Sequence, residues 1–235
     1  MHLLDAIRDA FALLLSGNAE LWQVIWVSIK TTVLALLLAT PASVIFGYLI
    51  AARTFAGRRV AIWLVQTSLS LPTVLIGLLL YLMLSRQGPL GDFRWLFSQS
   101  GIIAGQMLIA LPVMTAFTLA AVQAADNRLA ETAVTLGASP WRVMRTVLYE
   151  VRFGVMAAII SGFGRVISEV GCAIMVGGNI EGDTRTITTA IALQTSKGEF
   201  AQGIALGMVL VAIALLINAA LVLLQGDART ARGAA

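Results

Sequence analysis

An arginine and a glutamate, Arg165 and Glu169, interrupt the apolar run "SGFGRVISEVGCAIMVGGNI" (161–180). Four residues apart, they share a helix face and can pair. Inside a bilayer each costs about 2.5–3.5 kcal/mol at a helix centre before pairing, so something must offset that cost. Two readings stay open: a cation that attracts an anion, held in place by the carboxylate, or a salt bridge that locks a bundle. Downstream, "GNIEGDTRTITTAIALQTSKGEF" (178–200) brings hydroxyls and a cation together in Thr184, Arg185, Thr186, Thr188 and Thr189, and again in Thr195, Ser196 and Lys197. Hydroxyls, backbone amides and a cation suit a tetrahedral oxyanion. Arg165, Glu169, Thr184, Arg185, Thr186 and Thr188 are therefore the candidate anion pathway or gate. No catalytic residue is expected: the spans hold no Ser/His pair and no two aspartates. No metal site is expected either, because the one histidine is His2.

The elements that must position these residues are membrane helices. The chain is 59% apolar and 12% charged, where soluble domains carry about 25% charged residues, and its mean hydropathy is +0.90. Its apolar runs are continuous rather than alternating, which excludes a transmembrane barrel. The expected fold is all-α: a polytopic helical bundle with spans at about 24–52, 60–85, 101–123, 153–178 and 202–225. The 26 uncharged residues between Arg59 and Arg86 and the 27 between Glu199 and Asp227 fit tilted helices. Pro41, Pro72 and Pro112 lie inside spans and kink them, as plain structural bends or as hinges. Small residues (Ala157, Ser161, Gly164, Ser168, Gly171) form a stripe on the fourth span that lets helices approach closely. Counting from Arg152 at about 1.5 Å per residue puts Arg165 roughly 20 Å along that span.

Lys and Arg distribution orients the bundle. Arg53, Arg58, Arg59, Arg128, Arg142, Arg145, Arg152, Arg229 and Arg232 fall on one side; Arg8, Arg86, Arg94, Arg185 and Lys197 fall on the other. The richer side is cytoplasmic, with the N-terminus outside and the C-terminus inside. The net charge of +4 is thus a topology signal, and nucleic-acid binding is excluded. Residues 1–20 read as an amphipathic interfacial helix, with Leu3, Leu4, Ile7, Phe11, Leu14 and Leu15 on one face. Asp5 and Asp9 stand where a signal peptide would be basic. Cys172 is the single cysteine, so no intrachain disulfide forms. Residues 21–226 make one transmembrane domain, followed by a tail, 227–235.

A cytoplasmic turn, 126–150, separates the third and fourth spans. Asp126 or Asn127 caps a helix that stops at Gly137; Ser139 caps a second, with Pro140 at its first position. The knob is too polar for lipid, yet it carries Trp141. It is either a plain helical hairpin or a shape made to fit a partner.

Within it, "ETAVTLG" (131–137) resembles the EAA loop of binding-protein-dependent ABC importer permeases, a family with the MetI-like type I importer fold. Glu131, Ala133 and Gly137 match; Thr132 replaces an alanine, and Val147-Leu148-Tyr149-Glu150 stands where Ile-x-Leu-Pro is expected. The missing proline lets the second helix run into the fourth span. The resemblance implies a coupling helix that docks in a separate ATPase subunit through Glu131, Ala133, Gly137, Ser139 and Pro140. It also implies a permease homodimer, two ATPase subunits and an extracytoplasmic binding protein, in the cytoplasmic (inner) membrane. ATP and Mg would sit on the partner ATPase, with no cofactor in this chain, which carries no G-x-x-x-x-G-K-[ST] sequence. More narrowly, "FGRVISEVGCAIMVGGNIEGDTRTITTAIALQTSKGEF" (163–200) is similar to tungstate-importer permeases and, less fully, to molybdate and sulfate permeases. The similarity implies an oxyanion importer, with tungstate ahead of molybdate or sulfate. A stand-alone anion channel or ion-coupled carrier is the different-class alternative, and it gives the turn no role.

Overall fold

The computed structural model describes Arg8, Ala12 and residues 16–233. Most of the expected interfacial helix, 1–20, lies outside the described residues. Among those described there are ten α-helices and no strand, the all-α class expected. They are α1 (Ala19–Ala52), α2 (Arg58–Leu69), α3 (Thr73–Leu84), α4 (Gln99–Gln123), α5 (Asn127–Thr135), α6 (Pro140–Glu150), α7 (Arg152–Ile167), α8 (Gly171–Gly177), α9 (Ile187–Lys197) and α10 (Phe200–Gly233). A 3-10 turn, Gly91–Phe93, sits between α3 and α4. Three helices are long and apolar enough to cross a membrane; counting two bent pairs as spans makes five.

Two of the expected spans are broken. Within 60–85 the chain forms α2 and α3, because Pro72 starts a new helix instead of kinking one. Leu71, before a proline, leaves the helical region, and Pro72 is the N-cap of α3 at ψ 124°. Pro41 and Pro112 do lie inside continuous helices. Within 153–178 the helix stops at Ile167 and restarts at Gly171.

The chain divides into two compact units. The first holds the stretch up to Leu36, Pro72–Ile109 and Phe163–Ile217. One part of its core joins Leu21, Val24 and Ile25 of α1 to Ile187 and Ala190 of α9 and Leu206 of α10. A second packing face is made by glycine: α3 and α8 meet where Gly77 faces Cys172 and Gly171 faces Val74. Gly105 of α4 lies against the Cys172 sulfur. The second unit holds Leu37–Leu71, Ala110–Gly162 and the stretch from Asn218. Its core sets Val143, Met144 and Val147 of α6 against Tyr48 of α1 and Val122 of α4.

Candidate functional site

In the second unit, the knob at 126–150 is built by local rules. The Asp126 side chain accepts the Arg128 N–H at 2.9 Å and caps α5. Gly137 ends that helix in the left-handed region, at φ 78°. Ala138 N–H returns to Ala133 C=O at 3.0 Å and Gly137 N–H to Val134 C=O at 2.9 Å, the paired bonds that close a helix end around glycine. Ser139 holds the N-cap position of α6 and Pro140 follows it, but the serine hydroxyl makes no capping bond; its carbonyl accepts Val143 N–H instead.

The inner face of the knob carries Ala130, Ala133 and Ala138 onto Val143, Met144 and Val147. Its outer face is unusually apolar. Leu136 is 82% exposed and Trp141 61%, with Val134 exposed beside them, as are Glu131 and Gly137. The second helix does not run on into α7, as expected from the missing proline. It ends at Val151 and the chain bends by 73°. Arg152 forms the corner: its guanidinium lies 4.6 Å from the ring centres of Tyr149 and Phe153 and donates to Tyr149 C=O.

In the first unit, the charged pair lies at the break between α7 and α8. Arg165 Nη1 meets Glu169 Oε2 at 3.2 Å, while Glu169 Oε1 accepts Cys172 N–H at 3.0 Å. Both carboxylate oxygens are thus occupied, and the glutamate is buried. It bridges the end of one helix and the start of the next, so the helix can stop at Ile167 without leaving the carboxylate unpaired.

The threonines expected to face an anion are buried and bonded to the chain. Thr184 Oγ1 donates to Gly177 C=O at 2.5 Å and accepts Ile180 N–H at 2.9 Å. Thr186 caps α9, and its hydroxyl and that of Thr189 exchange bonds with each other's backbone N–H. Thr188 Oγ1 donates to Glu169 C=O at 2.6 Å. Thr184 and Thr188 therefore hook the two ends of α8. Arg185 pairs with Glu181 at 3.4 Å and with Glu20 of α1 at 3.0 Å. The structure brings Arg165, Glu169 and Thr188 into one network and ties Arg185 to α1.

Other polar groups in this network were missed in the sequence. Ser28 Oγ accepts Ile187 N–H at 2.6 Å, Gln23 donates to Gly182 C=O, and Lys30 reaches Gln99, which donates to Asp183. Each joins α1 or α4 to the 180–187 segment over a sequence distance that no local pattern reveals. The one available signal was a polar residue inside an apolar helix.

The hooks make a stability prediction. Thr184→Val leaves the buried Gly177 C=O without that partner, at about 1–3 kcal/mol for an unsatisfied group, and removes the bond to Ile180 N–H. Thermal unfolding of the purified chain in detergent should show a lowered midpoint for Thr184→Val and a near-normal one for Thr184→Ser.

Known proteins carry the same plan. Residues 39–229 match the family described as binding-protein-dependent transport system inner membrane component. A tungstate uptake system permease protein of Campylobacter jejuni subsp. jejuni is 42% identical over 92% of this chain and 91% of its own length. A protein of the same description from Peptoclostridium acidaminophilum is 32% identical over 96% and 99%. A molybdenum transport system permease protein of Escherichia coli is 31% identical over 76% and 82%. Among solved structures, a chain of a bacterial alginate ABC transporter in complex with its periplasmic protein superposes with a TM-score of 0.71 at 19% identity, covering 87% of this chain and 78% of that one. That likeness is one of fold. Together with the helical architecture, these matches show that the chain belongs to the family of binding-protein-dependent transport system inner membrane components.

Proposed function

We propose that this chain is the permease subunit of an ATP-driven importer that passes tungstate from an extracytoplasmic binding protein to the cytoplasm. The observation that carries this reading is the 42% identity to a tungstate uptake permease across nearly the whole of both chains. Two copies form the pathway. Each presents its knob to an ATPase subunit, which binds ATP and Mg. The N-terminus lies outside and the C-terminus in the cytoplasm, following the arginine distribution.

Glu131, Ala133, Gly137, Ser139 and Pro140 belong to the docking knob: Gly137 makes the turn, Pro140 starts the second helix, and Leu136 and Trp141 offer apolar contact area. An isolated hairpin has no reason to expose them. Arg165 and Glu169 stand on the anion's route. Thr184, Arg185, Thr186 and Thr188 frame it through their hold on α8 and α1. Molybdate is the second substrate, supported by the 31% identity to a molybdenum permease. It is nearly equal to tungstate in size and charge, so the separate binding protein makes that choice.

The test is uptake by proteoliposomes holding the permease, its ATPase and its binding protein. Tungstate should enter only with ATP and all three components, ahead of molybdate and well ahead of sulfate. Tungstate flux through the permease alone would establish the channel or carrier instead.

A further inference from the structure

We infer that the exposed side of Arg165 is the contact for the oxyanion within the broken span, and that Glu169 is the positioning residue that aims it and moderates its charge. This rests on the oxyanion-importer reading.

The two partners are unequally buried: the Glu169 side chain is 3% exposed and that of Arg165 is 39%. The carboxylate, with one oxygen on Arg165 and the other on Cys172 N–H, is buried and has no open side to offer a ligand. The guanidinium does. It has five N–H donors in a flat fork, and the carboxylate engages it through Nη1. Such a fork matches two oxygens of a tetrahedral oxyanion in a way an ammonium does not.

The space beside it is open among the described residues. A β-carbon added at Gly164 would meet nothing within 4 Å. Ser168, one turn on, is exposed, its hydroxyl donating to Gly164 C=O at 2.8 Å. Gly164, Arg165 and Ser168 thus share an open face, while Val166 and Ile167 turn into the core. The threonines that looked suited to an anion are turned inward onto groups of the chain itself, which leaves Arg165 as the charged donor of this network with an open side. Glu169 is fixed from behind as well, since Thr188 holds its carbonyl and the neighbouring Ile187 N–H is held by Ser28.

The pairing also suits a pathway. A bare arginine in a low-dielectric passage would bind a dianion too tightly to let it leave, and transport needs binding weak enough for exit. A carboxylate 3.2 Å away keeps the pair near neutral, so the fork supplies geometry without a deep electrostatic trap.

The test uses the assembled complex in proteoliposomes, with Ser168→Cys in a Cys172→Ala background. An anionic methanethiosulfonate reagent should modify the introduced thiol, and tungstate should slow that reaction. Adding Arg165→Gln should leave modification by a neutral reagent intact but weaken tungstate protection by about tenfold or more, as expected for a lost charge-assisted contact. Adding Glu169→Gln should speed the anionic reagent several-fold but leave a neutral reagent unchanged, since an uncompensated arginine attracts charge. A purely structural role for the pair would alter both reagents alike. The inference is overturned if tungstate gives no protection, if protection survives Arg165→Gln, or if the introduced thiol is sealed from the reagent. Where the wild-type complex still imports tungstate, such a result overturns this inference alone. Absence of oxyanion uptake by the wild-type complex overturns the importer reading with it.

Discussion

Gly137→Asp is expected to strip the ATPase from the purified complex while the permease remains folded in the membrane. The surroundings of Gly137 give the reason. Its φ of 78° is left-handed, so any side chain there carries some strain. Aspartate is among the residues that tolerate this region, and the penalty is about 1–2 kcal/mol at most. Among the described residues nothing lies within 4 Å of the added β-carbon, so there is no internal clash. The knob should therefore keep its shape, held by the Asp126 cap and the Val143–Met144–Val147 face. What changes is the outside: a carboxylate now stands between exposed Leu136 and Trp141, where a partner would have to remove it from water. A buried unpaired charge costs several kcal/mol, enough to abolish a modest protein interface. Co-purification through a tag on the permease is the measurement. An unchanged ATPase ratio at normal permease yield would remove the knob from the docking role. Gly137→Ala should keep most of the complex, since it adds strain without charge.

The second large effect concerns the glycine faces around α8. An alanine β-carbon at Gly77 would sit 2.8 Å from the Cys172 Cα; at Gly105 it would sit 2.5 Å from the Cys172 sulfur. Both are shorter than carbon tolerates, and both variants should lose folded yield. Overpacking typically costs about 1–3 kcal/mol, and here one obstacle is backbone. The two sites should separate in double variants. Cys172→Ala removes the sulfur, so it should rescue Gly105→Ala. It cannot rescue Gly77→Ala, because the Cα remains. Fluorescence-detected size-exclusion profiles and thermal midpoints in detergent would show this. Equal rescue of both would mean that α3 and α8 are not packed as described.

Local signals in the sequence were readable and distant ones were not. Asp126, Gly137 and Pro140 each act on residues within one turn, so the helix–turn–helix knob could be drawn from its letters. The break at 168–170 could not. Its partners are a threonine 19 residues on and an N–H beyond the gap, and the charges that interrupt the apolar run do not say where the helix stops. Pro72 illustrates the same limit: its type announces a disturbance, but not whether the helix bends or starts again. The threonines at 184–188 were read by functional group as anion donors. A hydroxyl's chemistry is visible in the sequence, its partner is not, and here the partners are backbone groups of the chain itself.

The hold on α8 also sets a rule for how this segment can vary. Between Gly177 and Thr188 the chain is fastened at Thr184 to Gly177, at Gly182 to Gln23, at Asp183 to Gln99 and at Thr188 to Glu169. The fastener at Gly182 is its main-chain carbonyl, and Asp183 is held through both its carbonyl and its carboxylate. Glu181 pairs with Arg185 and the Asp183 carboxylate accepts from Gln99, so these side chains are held, as is the number of residues. One inserted residue would pull at least one fastener off its mate. The stretch 178–183 behaves as a ruler, fixed in length and, at left-handed Gly178, Asn179 and Gly182, in spelling too.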